Sequence, residues 1–174
     1  MLMSSGLLSA GEDRFSVSSN GTVVFNLTNA MEMFTLEETG PAQYQYTFTV
    51  DMQEFSGSLV GVTSDVTINA LNGNNQITVM GSYPRNLTIF GGNADDDVFM
   101  VGAEVGGNLR AFLRSGDNSI DVVGLSVAGN TAFGTSGGND EVVLSNYTSG
   151  NVLAISTGAG YDSVTIADLS LIHI

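Results

Sequence analysis

Pairs of apolar residues, each pair spaced i and i+2 and separated from the next by a polar turn, recur through the second half of the chain. In NNQITV, DDDVFMV, NSIDVV, DEVVL and DSVTI the first apolar positions are Ile77, Val98, Ile120, Val142 and Val164, at spacings of 21, 22, 22 and 22 residues. Two residues on stand Val79, Met100, Val122, Leu144 and Ile166. A second pair precedes each anchor. Eleven residues before it stand Val66, Leu87, Leu109, Thr131 and Leu153, and nine before it Ile68, Ile89, Ala111, Phe133 and Ile155. Thr131 is the one polar member. The i, i+2 spacing is the period of a strand with one face buried, whereas a helix would place partners at i+3 or i+4. Repetition of one strand–turn–strand unit predicts stacked coils whose neighbours share a continuous core. The pattern therefore predicts an all-β parallel β-solenoid (β-helix) of about five rungs over residues 64–168, with about 22 residues per rung.

The turns agree. Four residues before each anchor stand Gly73, Ala94, Gly116, Gly138 and Gly160, and two before it Asn75, Asp96, Asn118, Asp140 and Asp162. The opposite turn carries Asp65, Asn86, Asn108 and Asn130, with Asn151 one place out of line. Glycine permits positive φ at a tight corner, and a short Asx side chain caps turn amides. Equivalent Asx residues on rungs about 4.8 Å apart predict hydrogen-bonded ladders, placed at solvent edges. Val105, Leu125 and Val127 allow a short third strand, so the pattern leaves two-sided and three-sided coils open.

Residues 1–63 lack the strict period but still read as β, through RFSVSS, TVVFNL, MFTLEE and QYQYTFTVDM. They read either as degenerate rungs or as a β-rich cap over the first rung, which would otherwise expose unpaired backbone. Tyr44, Tyr46, Phe48 and Val50 alternate as one packing face, and Met31, Met33, Met52, Met80 and Met100 read as core fillers. The first fifteen residues lack the basic segment of a signal peptide and read as a start inside a longer reading frame. The last six, LSLIHI (169–174), translate a transposon-library sequencing adapter and read as a tail of that origin. His173, the chain's one histidine, then belongs to the adapter.

Charge narrows the function. Eighteen carboxylates against four basic residues give a net charge of −14, and all four cations are arginines: Arg14, Arg85, Arg110 and Arg114. Such a surface repels nucleic acid and anionic lipid. The apolar runs are too short for membrane insertion, and the absence of cysteine excludes disulfides and thiolate metal sites. No P-loop, G-x-S-x-G or H-E-x-x-H pattern is present. Arg110 and Arg114 read as offsets to neighbouring carboxylates. An enzyme reading would use Asp97 and Asp121, or else Arg110 and Arg114.

The segment GGNADDDVF (91–99) resembles the calcium-binding nonapeptide GGxGxDxUx of secreted repeat-in-toxin proteins, matching at Gly91, Gly92, Asp96 and Val98 with Ala94 in a glycine position. TGAGYDSVT (157–165) matches at Gly158, Gly160, Asp162 and Val164. More broadly the rungs are similar to the Gly-Asp-rich repeat arrays of secreted and surface proteins of bacteria. The resemblance implies a secreted or cell-surface location, a scaffold or adhesin role, and calcium as the cofactor. The expected calcium ligands are Asp95, Asp96, Asp97, Asp117, Asp140 and Asp162. Expected partners are a surface glycan or protein, neighbouring rungs of a longer chain, and other copies through an uncapped end. The alternative function is a carbohydrate-active β-helix enzyme, a polysaccharide lyase or hydrolase.

Overall fold

A computed structural model describes residues 14–171, which form sixteen strands in two sheets. The N-terminal strands are β1 (Phe15–Val17), β2 (Val23–Asn26), β3 (Glu32–Gly40), β4 (Gln43–Val50) and β5 (Gln53–Val60). Five coils follow, each a short strand and a long one: β6 (Val66–Asn69) with β7 (Asn75–Tyr83), then β8 (Leu87–Phe90) with β9 (Asp97–Val105). In the third coil β10 (Leu109–Phe112) is followed by β11 (Ser119–Val123) and β12 (Ser126–Val127). The last two coils are β13 (Thr131–Gly134) with β14 (Glu141–Ser149), and β15 (Leu153–Ser156) with β16 (Ser163–Leu171). The protein is an all-β, parallel β-solenoid with coils of about 22 residues.

The register is the one the apolar pairs predict. Leu109 pairs with Leu87 and Thr131, and Ile120 with Val98 and Val142, so like positions stack on like. Val66, Ile68, Ile77, Val79, Leu87, Ile89, Val98 and Met100 are all essentially fully buried. Thr131 keeps its place in this apolar column because its hydroxyl shares a hydrogen bond with the buried Tyr147 hydroxyl, leaving neither unsatisfied. Val164 and Ile166 are 47% and 42% exposed because no described coil stacks on theirs.

The long strands decide the cross-section. Gly81, Gly102, Gly124, Asn146 and Asp168 form a column at φ of 87°, 57°, 67°, 50° and 56°. Left-handed residues at one register bend every long strand at the same place, and glycine and Asx are the types that bear it. Beyond the bend Ala103, Val105, Leu125, Val127 and Tyr147 turn inward and are buried. Each coil therefore has three sides.

At the N-terminal end β2 and β3 stack in parallel on β6 and β7, as a coil would. Antiparallel strands then cover both outer edges: β1 pairs with β2, and β4 and β5 continue outward from β3. Phe25, Phe34, Tyr46 and Phe48 pack beneath them with ring centroids 4.8–6.2 Å apart. Tyr44 donates its hydroxyl to the Ser82 carbonyl, and burial pushes that phenol well up. The Arg14 guanidinium lies over the Phe48 ring and pairs with buried Glu32 at 2.9 Å. The antiparallel layer removes the parallel edge that would otherwise template pairing with another chain.

The methionines do not fill the core as a set. Met31, Met33 and Met52 are 70%, 54% and 100% exposed, Met80 is half-buried, and only Met100 is fully enclosed. Met33 and Met80 fall on the outward phase of their strands, where the period-2 alternation overrides hydrophobicity. Of the LSLIHI segment, Leu169–Leu171 end β16, while 172–174, with His173, lie outside the described residues, as does the segment 1–13. Among the described residues no helix is long and apolar enough to cross a membrane.

Candidate functional site

The aspartate strip divides into two columns, with Asp97 in neither. Innermost is the series Asn75, Asp96, Asn118, Asp140 and Asp162. The backbone N–H of each member donates to the side-chain oxygen of its equivalent on the next coil: Asn75 to Asp96 at 3.1 Å, Asp96 to Asn118 at 3.1 Å, Asn118 to Asp140 at 2.9 Å and Asp140 to Asp162 at 3.1 Å. The Nδ2 groups of Asn75 and Asn118 reinforce their steps at 2.9 and 3.0 Å. A second, exposed column runs the other way, with Asp117 N–H donating to Asp95 Oδ1 at 2.8 Å and Asn139 N–H to Asp117 Oδ1 at 2.7 Å. Asp97 stands apart, half-buried on the outward side of β9. The opposite turn repeats the device: Asn86, Asn108 and Asn130 donate N–H to Asp65, Asn86 and Asn108 at 3.1, 2.8 and 2.9 Å.

Placement at the solvent edge therefore needs correction for the inner column. Asp96 and Asp140 are 0% and 1% exposed, and Asn75 and Asn118 are equally enclosed. They turn inward because the glycine-lined turn presents N–H groups and carbonyls toward the coil interior, and only a short polar side chain can pair them. Asp96 is satisfied at both oxygens: Oδ1 takes the Asn75 donors and Oδ2 accepts the Gly92 N–H at 3.0 Å. Burial raises its pKa, opposed by these hydrogen bonds; burial and the nearby Asp95 charge also raise that of Asp97.

Asp140 is different. Its Oδ1 accepts both Asn118 donors, but its Oδ2 is buried with no hydrogen-bond partner. At the same ladder position Asn118 uses Nδ2 to donate to the carbonyls of Gly116 and Arg114, and Asn75 donates to those of Gly73 and Ala70. By the register the corresponding carbonyls for residue 140 are those of Gly138 and Ser136. Aspartate has no donor to offer them. No backbone donor replaces the one Asp96 finds at Gly92, because the Ser136 N–H is committed to the Arg114 carbonyl.

Among the described residues no three carboxylates converge on one point. The structure brings Asp96, Asp140 and Asp162 into one column and Asp95 and Asp117 into another, with Asp97 in neither. Calcium takes roughly 6–8 oxygens. The fit of these residues to such an ion fails at Asp96, whose two oxygens face N–H donors, and is best at Asp140, whose free Oδ2 lies in the carbonyl-rich turn next to Asp162; exposed Asp95 and Asp117 commit only their Oδ1 atoms.

Charge separates by sheet. Strands of the nine-stranded sheet carry Glu32, Glu37, Glu38, Glu54, Asp97, Glu104, Asp121, Glu141 and Asp168, and those of the seven-stranded sheet carry no carboxylate. In the parallel ladders Asp97 and Glu141 both pair with Ser119, and Asp121 pairs with Phe99 and Val143, so carboxylates do not stack on carboxylates. Arg110 lies on β10 of the seven-stranded sheet, with Arg114 just beyond it. Among the described residues only Arg14 forms an ion pair, and Arg110 and Arg114 make no direct contact with a carboxylate. Asp97 and Asp121 belong to one sheet and the two arginines to the other side, so they form no common site. Phe112, exposed between those arginines, and Phe90, beside it on the adjacent coil, had no part in the apolar pattern; their outward phase, one residue past Ala111 and Ile89, is the signal that marks them.

No protein-family model, no curated protein and no solved structure matches this chain.

Proposed function

We propose that the chain is a non-catalytic repeat scaffold, a module of an exported bacterial protein that acts at the cell surface or outside the cell. The observation that carries this reading is the use of the acidic turn residues. Asp96, Asn118, Asp140 and Asp162 each accept the backbone N–H of the preceding coil's ladder residue, so the chemistry-bearing groups hold one coil to the next. Carboxylate acceptors make charge-assisted hydrogen bonds, which are stronger than neutral ones. The repeat resemblance and the carboxylate-rich nine-stranded sheet favour a cation-rich exterior. Calcium enters the proposal at one place, the Asp140–Asp162 step, where it would supply the partner that Asp140 Oδ2 lacks.

Three measurements test the reading. Antibody against the chain should label intact producing cells or their medium; a cytosolic pool released only on lysis overturns export. Incubation with acidic and neutral polysaccharides should release no new reducing ends. Turnover would replace the scaffold with the carbohydrate-active reading. Melting at fixed ionic strength should show a higher Tm in millimolar calcium than in magnesium or chelator, and equal melts remove calcium from the proposal.

A further inference from the structure

On the outward side of the seven-stranded sheet one column reads Asn26, Asn69, Phe90, Phe112, Gly134 and Ser156. Phe90 and Phe112 are 44% and 39% exposed, and their rings stack with centroids 6.4 Å apart and planes 21° apart. The next coil offers Gly134 at this register, where an added Cβ would meet the Phe112 ring at 2.7 Å. The ring thus lies flat over bare backbone, its outer side free. A cross-strand aromatic pair contributes about 0.2–1 kcal/mol to a sheet, which accounts for the pairing. It does not account for what surrounds the pair.

Arg110 and Arg114 stand two residues before and after Phe112, on the same outward phase, and both are exposed. Neither meets a described carboxylate within ion-pairing distance, although the chain carries 18 acids. Four residues of extended chain place the two Cα atoms about 13 Å apart. Between Phe90 and Arg114 lies a depression of about 350 Å³ whose rim includes Leu71 and the amide of Asn72. The strands of this sheet carry no carboxylate; the nearest acids belong to the turn after Arg114, where Asp95 and Asp117 are exposed and Asp96 is buried with its Oδ2 on the Gly92 N–H. Along the strands themselves the outward charges are those of Arg110 and Arg114, flanking the aromatic pair.

We propose that this face binds an anionic glycan, a chain in which acidic sugars alternate with neutral ones. The apolar C–H side of a neutral pyranose lies on the Phe90–Phe112 pair. Carboxylate or sulfate groups of the flanking sugars take the fork of Arg110 on one side and Arg114 on the other, the geometry for which guanidinium is suited. Asn72 hydrogen-bonds hydroxyls at the rim of the depression. A single-stranded nucleic acid would also stack on phenyl rings, but its phosphates call for a track of cations, and here there are two. The inference goes beyond the scaffold reading and does not depend on it, since it concerns binding and not turnover.

The test is calorimetric titration of the 174-residue chain with three probes. These are hyaluronan oligosaccharides, which alternate glucuronate and N-acetylglucosamine; chitin oligosaccharides of the same length, which carry no acid; and oligo-deoxythymidine. Binding of the acidic probe alone is expected. Arg110→Gln combined with Arg114→Gln, and separately Phe112→Ala, should each weaken it at least tenfold; the double arginine variant should leave the melting curve in place because both side chains are exposed, and Phe112→Ala should lower Tm by at most about 4 °C, the worth of the aromatic pair. Tyr161→Ala, on an exposed turn outside this face, should bind as the parent does. Equal affinity for the neutral probe, unchanged affinity in the double arginine variant, preference for the oligonucleotide, or no binding of the acidic probe overturns the proposal.

Discussion

Asp140→Asn should stabilise the protein, an uncommon outcome for replacing a fully buried residue. The orphan Oδ2 of Asp140 sits where the ladder's asparagines place an amide nitrogen. A buried polar atom without a partner costs about 1–3 kcal/mol. The asparagine amide would donate to the carbonyls of Gly138 and Ser136, while its Oδ1 would keep the two Asn118 donors. In a domain of this size each kcal/mol moves Tm by about 2–4 °C, so a rise of several degrees is expected in chelator. The equivalent change at Asp96 should do the reverse. Both Asp96 oxygens accept N–H groups, and an amide in either orientation turns a donor against a donor, at Gly92 or at Asn75. Asp96→Asn should therefore cost about 1–3 kcal/mol. Thermal melts of parent and both variants, with chelator and again with calcium, read the two signs directly. If Asp140→Asn melts at or below the parent in chelator, the orphan oxygen is not a source of instability. If calcium raises the Asp140→Asn melt as much as the parent's, no ion is held there.

Further outcomes follow from the turns, the titrating groups and the open end. Gly138→Ala should destabilise strongly, because its φ is 125° and a Cβ would lie 2.0 Å from the Gly116 carbonyl oxygen; Gly102→Ala, with open space around it and only its φ of 57° to strain it, should cost about 1 kcal/mol, and equal losses in denaturant titrations would contradict the stacking geometry. Since burial raises the folded pKa of Asp96, the folded state binds more protons than the unfolded one; stability from this group should rise as pH falls from that raised value to the ordinary 3.8, and Asp96→Asn should flatten that rise relative to the parent. β15 and β16 end both sheets among the described residues, and Val164, Ile166, Leu169 and Leu171 are each 39–47% exposed there, so the 174-residue chain should self-associate through this edge. Light scattering that stays monomeric at high concentration would refute the last of these.

The repeat determined the architecture from the sequence alone. Apolar residues at i and i+2, returning every 22 positions, leave one register in which all of them face inward, because a slip of one residue would turn every side chain outward. The ladders were legible for the same reason: residues at one register must stack. What the sequence left open depends on direction rather than spacing. Whether an Asx side chain turns in or out is set by the carbonyls and N–H groups around it, and Asp96 and Asp140 share a register yet differ because Gly92 offers a donor and Ser136 does not. The third side of the coil rests on the left-handed column at Gly81, Gly102, Gly124, Asn146 and Asp168, where residues of three types adopt one conformation that no single residue preference announces. Segregation of the charges onto one sheet, with Phe90, Phe112, Arg110 and Arg114 left together on the other side, was the least legible feature. Outward residues are free of the core's constraint, so only the assembled coils decide which of them become neighbours.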